Sequence, residues 1–120
     1  MARPNFTHVT LECQGCRPEL LNDRRRIRRF LIKAAESCAL HVVQDGIHSF
    51  RPQGITGYVL LEESHISIHT WPENKVALID VLSCKEIDTD QLDSLVRKTF
   101  APRTVSLDVD TRHRSSGKRR

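Results

Sequence analysis

The chain has 120 residues and 38% hydrophobic composition, enough for one domain with a modest core but too little for a second domain, so a deep cleft forms more readily between subunits. The formal charge of +4 is unevenly placed: residues 111–120 hold five of the nineteen Lys and Arg and no acid, leaving fourteen basic against fifteen acidic groups before them, which weighs against nucleic-acid binding. No apolar run approaches membrane-spanning length and the first residues lack the order of a secretory signal, so the sequence reads as cytoplasmic, with its four cysteines reduced.

The stretch "FTHVTLEC" (6–13) alternates as a strand and is closed by "QGCRP". From Pro18 to about Ala39 the pattern becomes helical, with Leu20, Ile27, Leu31, Ala34 and Cys38 forming one apolar stripe. "RRRIRR" (24–29) lies within this helix, where Ile27 fixes the inner face and leaves most of the arginines on a solvated surface; a patch facing a partner or an anion is the sharper alternative.

"LHVVQ" then leads to a turn signal at Asp45-Gly46 and a short "IHSF", and "RPQGITG" reads as a bend. Strands are predicted at Gly57–Leu61, His65–Trp71 and Lys75–Ser83, the last two joined around Pro72-Glu73-Asn74. Asp88, Thr89 and Asp90 are candidate caps for a helix carrying Leu92, Leu95, Val96 and Phe100, which Pro102 ends before a last strand, "RTVSLDVD". The expected fold is α+β, a two-layer sandwich of two principal helices on a mainly antiparallel sheet. It spans a domain at 1–110, with 111–120 as a flexible basic tail.

"LLEESHISIHTWPE" (60–73) concentrates the reactive side chains. His65 and His69 would share a helical face, but "HISIHTW" has strand character, and a single CxxC at Cys13–Cys16 is a weak zinc signal, so no metal is expected. Ser64 lacks the G-x-S-x-G elbow of a serine hydrolase. The plain alternative makes Ser64, His65 and His69 ordinary polar residues of a half-buried sheet.

A third chemistry turns Ser64 Oγ on the Glu63 carbonyl. The amide becomes an ester, loss of the Ser64 α-hydrogen expels the Glu63 carboxylate, and hydrolysis leaves a pyruvoyl group with release of ammonia. A strained turn, a donor for the tetrahedral intermediate and a base are required, which Glu62-Glu63, Thr56 and His69 can supply. In a regular strand Ser64 and His69 face opposite sides, so Ser64 is expected in the turn before the strand.

"GYVLLEESHISIHTWPE" followed by "ALIDVLSC" resembles the processing segment of the small prokaryotic S-adenosylmethionine decarboxylase proenzymes, a pyruvoyl-dependent family, over about Phe6 to Asp110. The resemblance implies cleavage between Glu63 and Ser64, a pyruvoyl group generated from Ser64, His69 and Thr56 as processing residues, and Cys84 as the acid that protonates the product carbanion. It further implies substrate binding by Glu12, Phe50 and Glu73: Glu12 near the charged end, Phe50 on adenine and Glu73 on the ribose hydroxyls. A homodimer of cleaved αβ protomers, with sites at the interface, would supply decarboxylated S-adenosylmethionine for spermidine biosynthesis.

Two departures bear on substrate. Phe6-Thr7-His8 stands where relatives often have G-R-H, and Lys85 where glycine often follows the catalytic cysteine. Lys85 can repel a sulfonium or attract a carboxylate according to its direction, and the resembled family looks like one in which some members decarboxylate basic amino acids, which keeps ornithine or arginine as an alternative substrate. A nonenzymatic polyanion-binding or regulatory protein is the remaining alternative.

Overall fold

The computed structural model describes residues 6–112. Six strands form one sheet: β1 (Phe6–Gln14), β2 (Val42–Ser49), β3 (Ile55–Leu61), β4 (Ser64–Trp71), β5 (Val76–Ser83) and β6 (Thr104–Arg112). Their order is β2-β3-β4-β5-β1-β6, and every neighbouring pair is antiparallel. Two principal helices, α2 (Arg24–Ser37) and α3 (Thr89–Phe100), cover one face and give the expected two-layer α+β sandwich.

Alternation along the strands places the core. Val9, Leu11, Ile66, Ile68, Ile79 and Val81 face the helices, where they meet Ile27, Phe30, Leu31, Leu92, Val96 and Phe100. Each contributes about 1.5–3 kcal/mol by leaving water. Phe30 and Phe100 join the helices, their ring centroids 5.2 Å apart. Among the described residues no helix covers the opposite face of the sheet, and Leu60, Trp71 and Leu78 on it are 40%, 38% and 39% exposed.

The helix predicted over Pro18–Ala39 is two helices, a short α1 (Pro18–Leu21) and then α2. Asp23 breaks the run by capping α2, its carboxylate accepting from Arg26 N at 3.1 Å. The break is useful to the fold. Leu21 O accepts from Thr70 Oγ1 at 2.8 Å, and Asn22 Oδ1 accepts from Gly54 N at 3.0 Å, tying the helical layer to β3 and β4.

Asp45-Gly46 is likewise a strand interior, with the irregularity displaced to a register shift between Val42 and Gln44. Gly46 faces the Tyr58 ring, where a Cβ would stand 2.5 Å from Cε1, so close packing explains this glycine. At α3 the expected boundaries hold: Asp88 accepts from Gln91 N at 3.1 Å, and left-handed Ala101 closes the helix before Pro102. β6 continues through Thr111 and Arg112, two residues into the segment expected as a flexible tail; residues 113–120 lie outside the described residues.

Candidate active site

β3 and β4 are joined by Glu62 and Glu63, with Leu61 paired to Ser64 across the turn. So tight a connection needs positive φ, and Glu63 takes it at 60°. A non-glycine residue there costs roughly 1–2 kcal/mol. Ser64 differs from expectation: it is the first residue of β4, paired in the sheet, and the turn is filled by Glu62 and Glu63. Its side chain shares the buried phase of Ile66, Ile68 and Thr70, and the residue is only 7% exposed.

Cys84 reaches Ser64 from the end of β5. Its backbone N–H donates to Ser64 Oγ at 3.3 Å, and its Sγ lies 4.0 Å from that oxygen. A serine hydroxyl, a left-handed residue before it, a backbone donor and a thiol therefore meet at one end of the sheet.

A second cluster occupies the face without helices. Thr56 on β3 pairs with His69 on β4, and Thr56 Oγ1 and His69 Nδ1 share a hydrogen bond of 2.9 Å. The pair opens into a cavity of about 450 Å³ also lined by Phe50, Gln53, Trp71 and Glu73. Phe50 is 50% exposed and meets His48 edge to face at 4.6 Å. Glu12 lies in an adjoining recess with Trp71, Asn74 and Leu78, where Leu78 is the register partner of both His69 and Glu12. Trp71 and Gln53 were missed by the sequence reading; for Trp71 the signal was available, since it falls in the same strand phase as His69.

The two clusters do not meet within the chain. Ser64 faces the helices and His69 the open side, five residues further along β4, about 16 Å at the usual strand rise.

Lys85 is tied to the end of the helical layer. Its Nζ donates to Ala39 O at 3.3 Å, where α2 has just ended, and its N–H donates to Ser83 Oγ at 2.9 Å. Cys13 and Cys16 are buried thiols whose mutual hydrogen bond pushes Cys13 up and Cys16 down; among the described residues no third metal-binding side chain joins them. Among the described residues, no helix is long and apolar enough to cross a membrane.

The model of the S-adenosylmethionine decarboxylase family matches residues 7–113, nearly the whole chain. The chain belongs to this family. The S-adenosylmethionine decarboxylase proenzyme of Methanococcus maripaludis strain C5 is 44% identical over 79 residues, covering 66% of this chain and 65% of that one. The proenzyme of Thermodesulfovibrio yellowstonii is 40% identical over 80 residues, covering 67% and 59%. The matched region thus spans less than two thirds of these curated relatives.

Solved structures extend the likeness across the fold. The crystal structure of the adenosylmethionine decarboxylase from Aquifex aeolicus VF5 superposes with a TM-score of 0.83 at 27% identity, covering 99% of each chain. The Trypanosoma brucei AdoMetDC-delta26 monomer, at 14% identity and a TM-score of 0.65 over 86% of this chain and 45% of that one, shares the fold.

Proposed function

We propose that the chain is the proenzyme of a pyruvoyl-dependent S-adenosylmethionine decarboxylase, which cuts itself between Glu63 and Ser64 and then releases CO₂ from S-adenosylmethionine, yielding the aminopropyl donor for spermidine synthesis. One observation carries the reading: a left-handed Glu63 set against a Ser64 Oγ held by the Cys84 N–H at 3.3 Å. Family membership supports it, and Lys85 Nζ is engaged by Ala39 O.

Ser64 Oγ adds to the Glu63 carbonyl carbon, and the amide nitrogen leaves as the Ser64 amine, giving an ester. A base takes the Ser64 α-hydrogen and the Glu63 carboxylate departs. Addition of water and loss of ammonia leave a ketone at residue 64. The pyruvoyl group supplies a carbonyl for the substrate α-amine and an adjacent amide carbonyl that accepts charge as CO₂ leaves. Cys84 Sγ, 4.0 Å from Ser64 Oγ, is the donor that returns a proton to the substrate carbon.

His69 is the processing base and Thr56 holds its ring through the 2.9 Å hydrogen bond. Because His69 and Ser64 diverge within one protomer, we assign His69 to the site of a second copy, in a homodimer whose uncovered sheet faces bury Leu60, Trp71 and Leu78. The cavity beside His69 then receives substrate: Phe50 stacks on adenine, Glu73 binds the ribose hydroxyls and Glu12 faces the cationic end.

Intact mass of the purified protein should show two fragments divided after Glu63, while Ser64→Ala stays whole and releases no CO₂. Cys84→Ala should still cleave but turn over poorly. Side-by-side CO₂ release should favour S-adenosylmethionine over ornithine and arginine. Active protein with an unbroken Glu63-Ser64 bond in every subunit would overturn the reading.

A further inference from the structure

The helical layer carries a charge pattern that stability does not explain. α2 begins with Arg24, Arg25 and Arg26 and continues with Arg28 and Arg29, with no acidic residue in its first turn. Three of these cations lie in the first turn, at the positive end of the helix dipole, with the capping Asp23 carboxylate as the one anion there. So cationic a start is a reason to look for an anion bound nearby.

The paired arginines point elsewhere. Arg24 donates to Ser49 Oγ at 3.2 Å, Arg28 to Asp45 at 3.1 Å, and Arg97 to Asp93 at 3.0 Å. The groove between α2 and α3 is different: two adjoining recesses of about 390 and 170 Å³ share Lys33, Leu95 and Lys98, and the smaller is also lined by Arg26, Arg29 and Phe30. Arg29, Lys33 and Lys98 are exposed and have no carboxylate within ion-pair distance among the described residues. Arg26 is anchored to Thr99 O at 3.3 Å, yet its buried Nε lacks a hydrogen-bond partner and stands 3.7 Å from Asp23.

We propose that the α2–α3 groove binds a triphosphate chain, as carried by a nucleotide or by inorganic oligophosphate, held by Arg26, Arg29, Lys33 and Lys98. Cations from both helices converge on one recess, and guanidinium groups match phosphate oxygens in pairs. Glu36 lines the far recess and restricts the anion to the arginine end. Phe30 is 1% exposed and offers no stacking platform for bases, which disfavours a single-stranded nucleic acid. The groove lies on the other layer from the His69 cavity, so the proposal stands independently of the decarboxylase reading.

Isothermal titration of the full chain with tripolyphosphate and, separately, with ATP at low ionic strength tests it. One saturable site per chain is expected, weakening as salt rises. Arg29→Glu and Lys98→Glu, one on each helix, should each weaken binding by about tenfold or more, while Arg24→Glu, the same charge change facing β2, should leave it nearly intact. Equal affinity for the two probes would mean that the phosphate chain alone is read, and tighter ATP binding that the nucleoside adds contacts; both support the site. Absence of saturable binding, equal effects of all three variants that unfold at the wild-type temperature, or tighter binding of duplex RNA with the same sensitivity would overturn it.

Discussion

Glu63 is the residue on which backbone and chemistry converge. Its φ of 60° is unfavourable for a side chain of this kind, and the cost sits on the bond proposed to break. In a Ser64→Ala background, where the chain stays whole, Glu63→Gly should stabilise the precursor by about 1 kcal/mol in urea unfolding. In the wild-type background it should slow fragment formation; unchanged cleavage would separate turn strain from processing. Thr56→Val should act through its neighbour, leaving His69 Nδ1 without its 2.9 Å partner and raising the fraction of uncut chain. The chemistry of a serine turned on its own backbone and the resemblance to the proenzymes named Ser64, Thr56 and His69 together, while strand patterning set their expected placement. That patterning misplaced Ser64 because strand alternation does not fix where a two-residue turn begins, and a pairing of Leu61 with Ser64 puts both glutamates in the turn.

At the scale of elements, most strands and the cap of α3 were legible because burial alternates and Asp88 stands directly before the apolar stripe. The break at Asn22-Asp23 was hidden. The apolar positions of α1 and α2 run together on paper, and only the long-range bonds from Gly54 and Thr70 reveal why the chain resets there. Asp45-Gly46 misled for a related reason: a dipeptide that favours hairpin turns is equally suited to a strand beneath a tyrosine ring. Asp23→Ala should cost about 1 kcal/mol by removing the α2 cap, and Phe100→Ala about 3–5 kcal/mol by opening the contact with Phe30. Denaturant midpoints in the uncut Ser64→Ala background will measure both.

For the whole molecule, the separation of Ser64 from His69 makes a sharp prediction. Co-expressed Ser64→Ala and His69→Ala chains should yield cleaved His69→Ala chain, its missing imidazole supplied by the partner. A mixture with no cleaved chain would place His69 in its own subunit's reaction. Stability should also fall as pH rises above the ordinary thiol value of 9.0: burial pushes the folded Cys38 thiol up, so the unfolded chain loses that proton first. Cys38→Ala should reduce but not abolish this alkaline loss when denaturant midpoints are compared below and above that value, because the Cys13 thiol is pushed up as well. The odd spacing of Ser64 and His69 and the place of Cys38 in the apolar stripe were readable from the sequence; that Ser64 is itself paired in the sheet was not, because register belongs to the assembled strands.

The strand order bears on what a cut after Glu63 would leave behind. The leading piece would own β1, β2 and β3, the trailing piece β4, β5 and β6, yet β1 lies between β5 and β6. Like interlocked fingers, the two products would remain knit through backbone hydrogen bonds on both sides of β1, so scission rewrites the covalent map while the architecture stays whole.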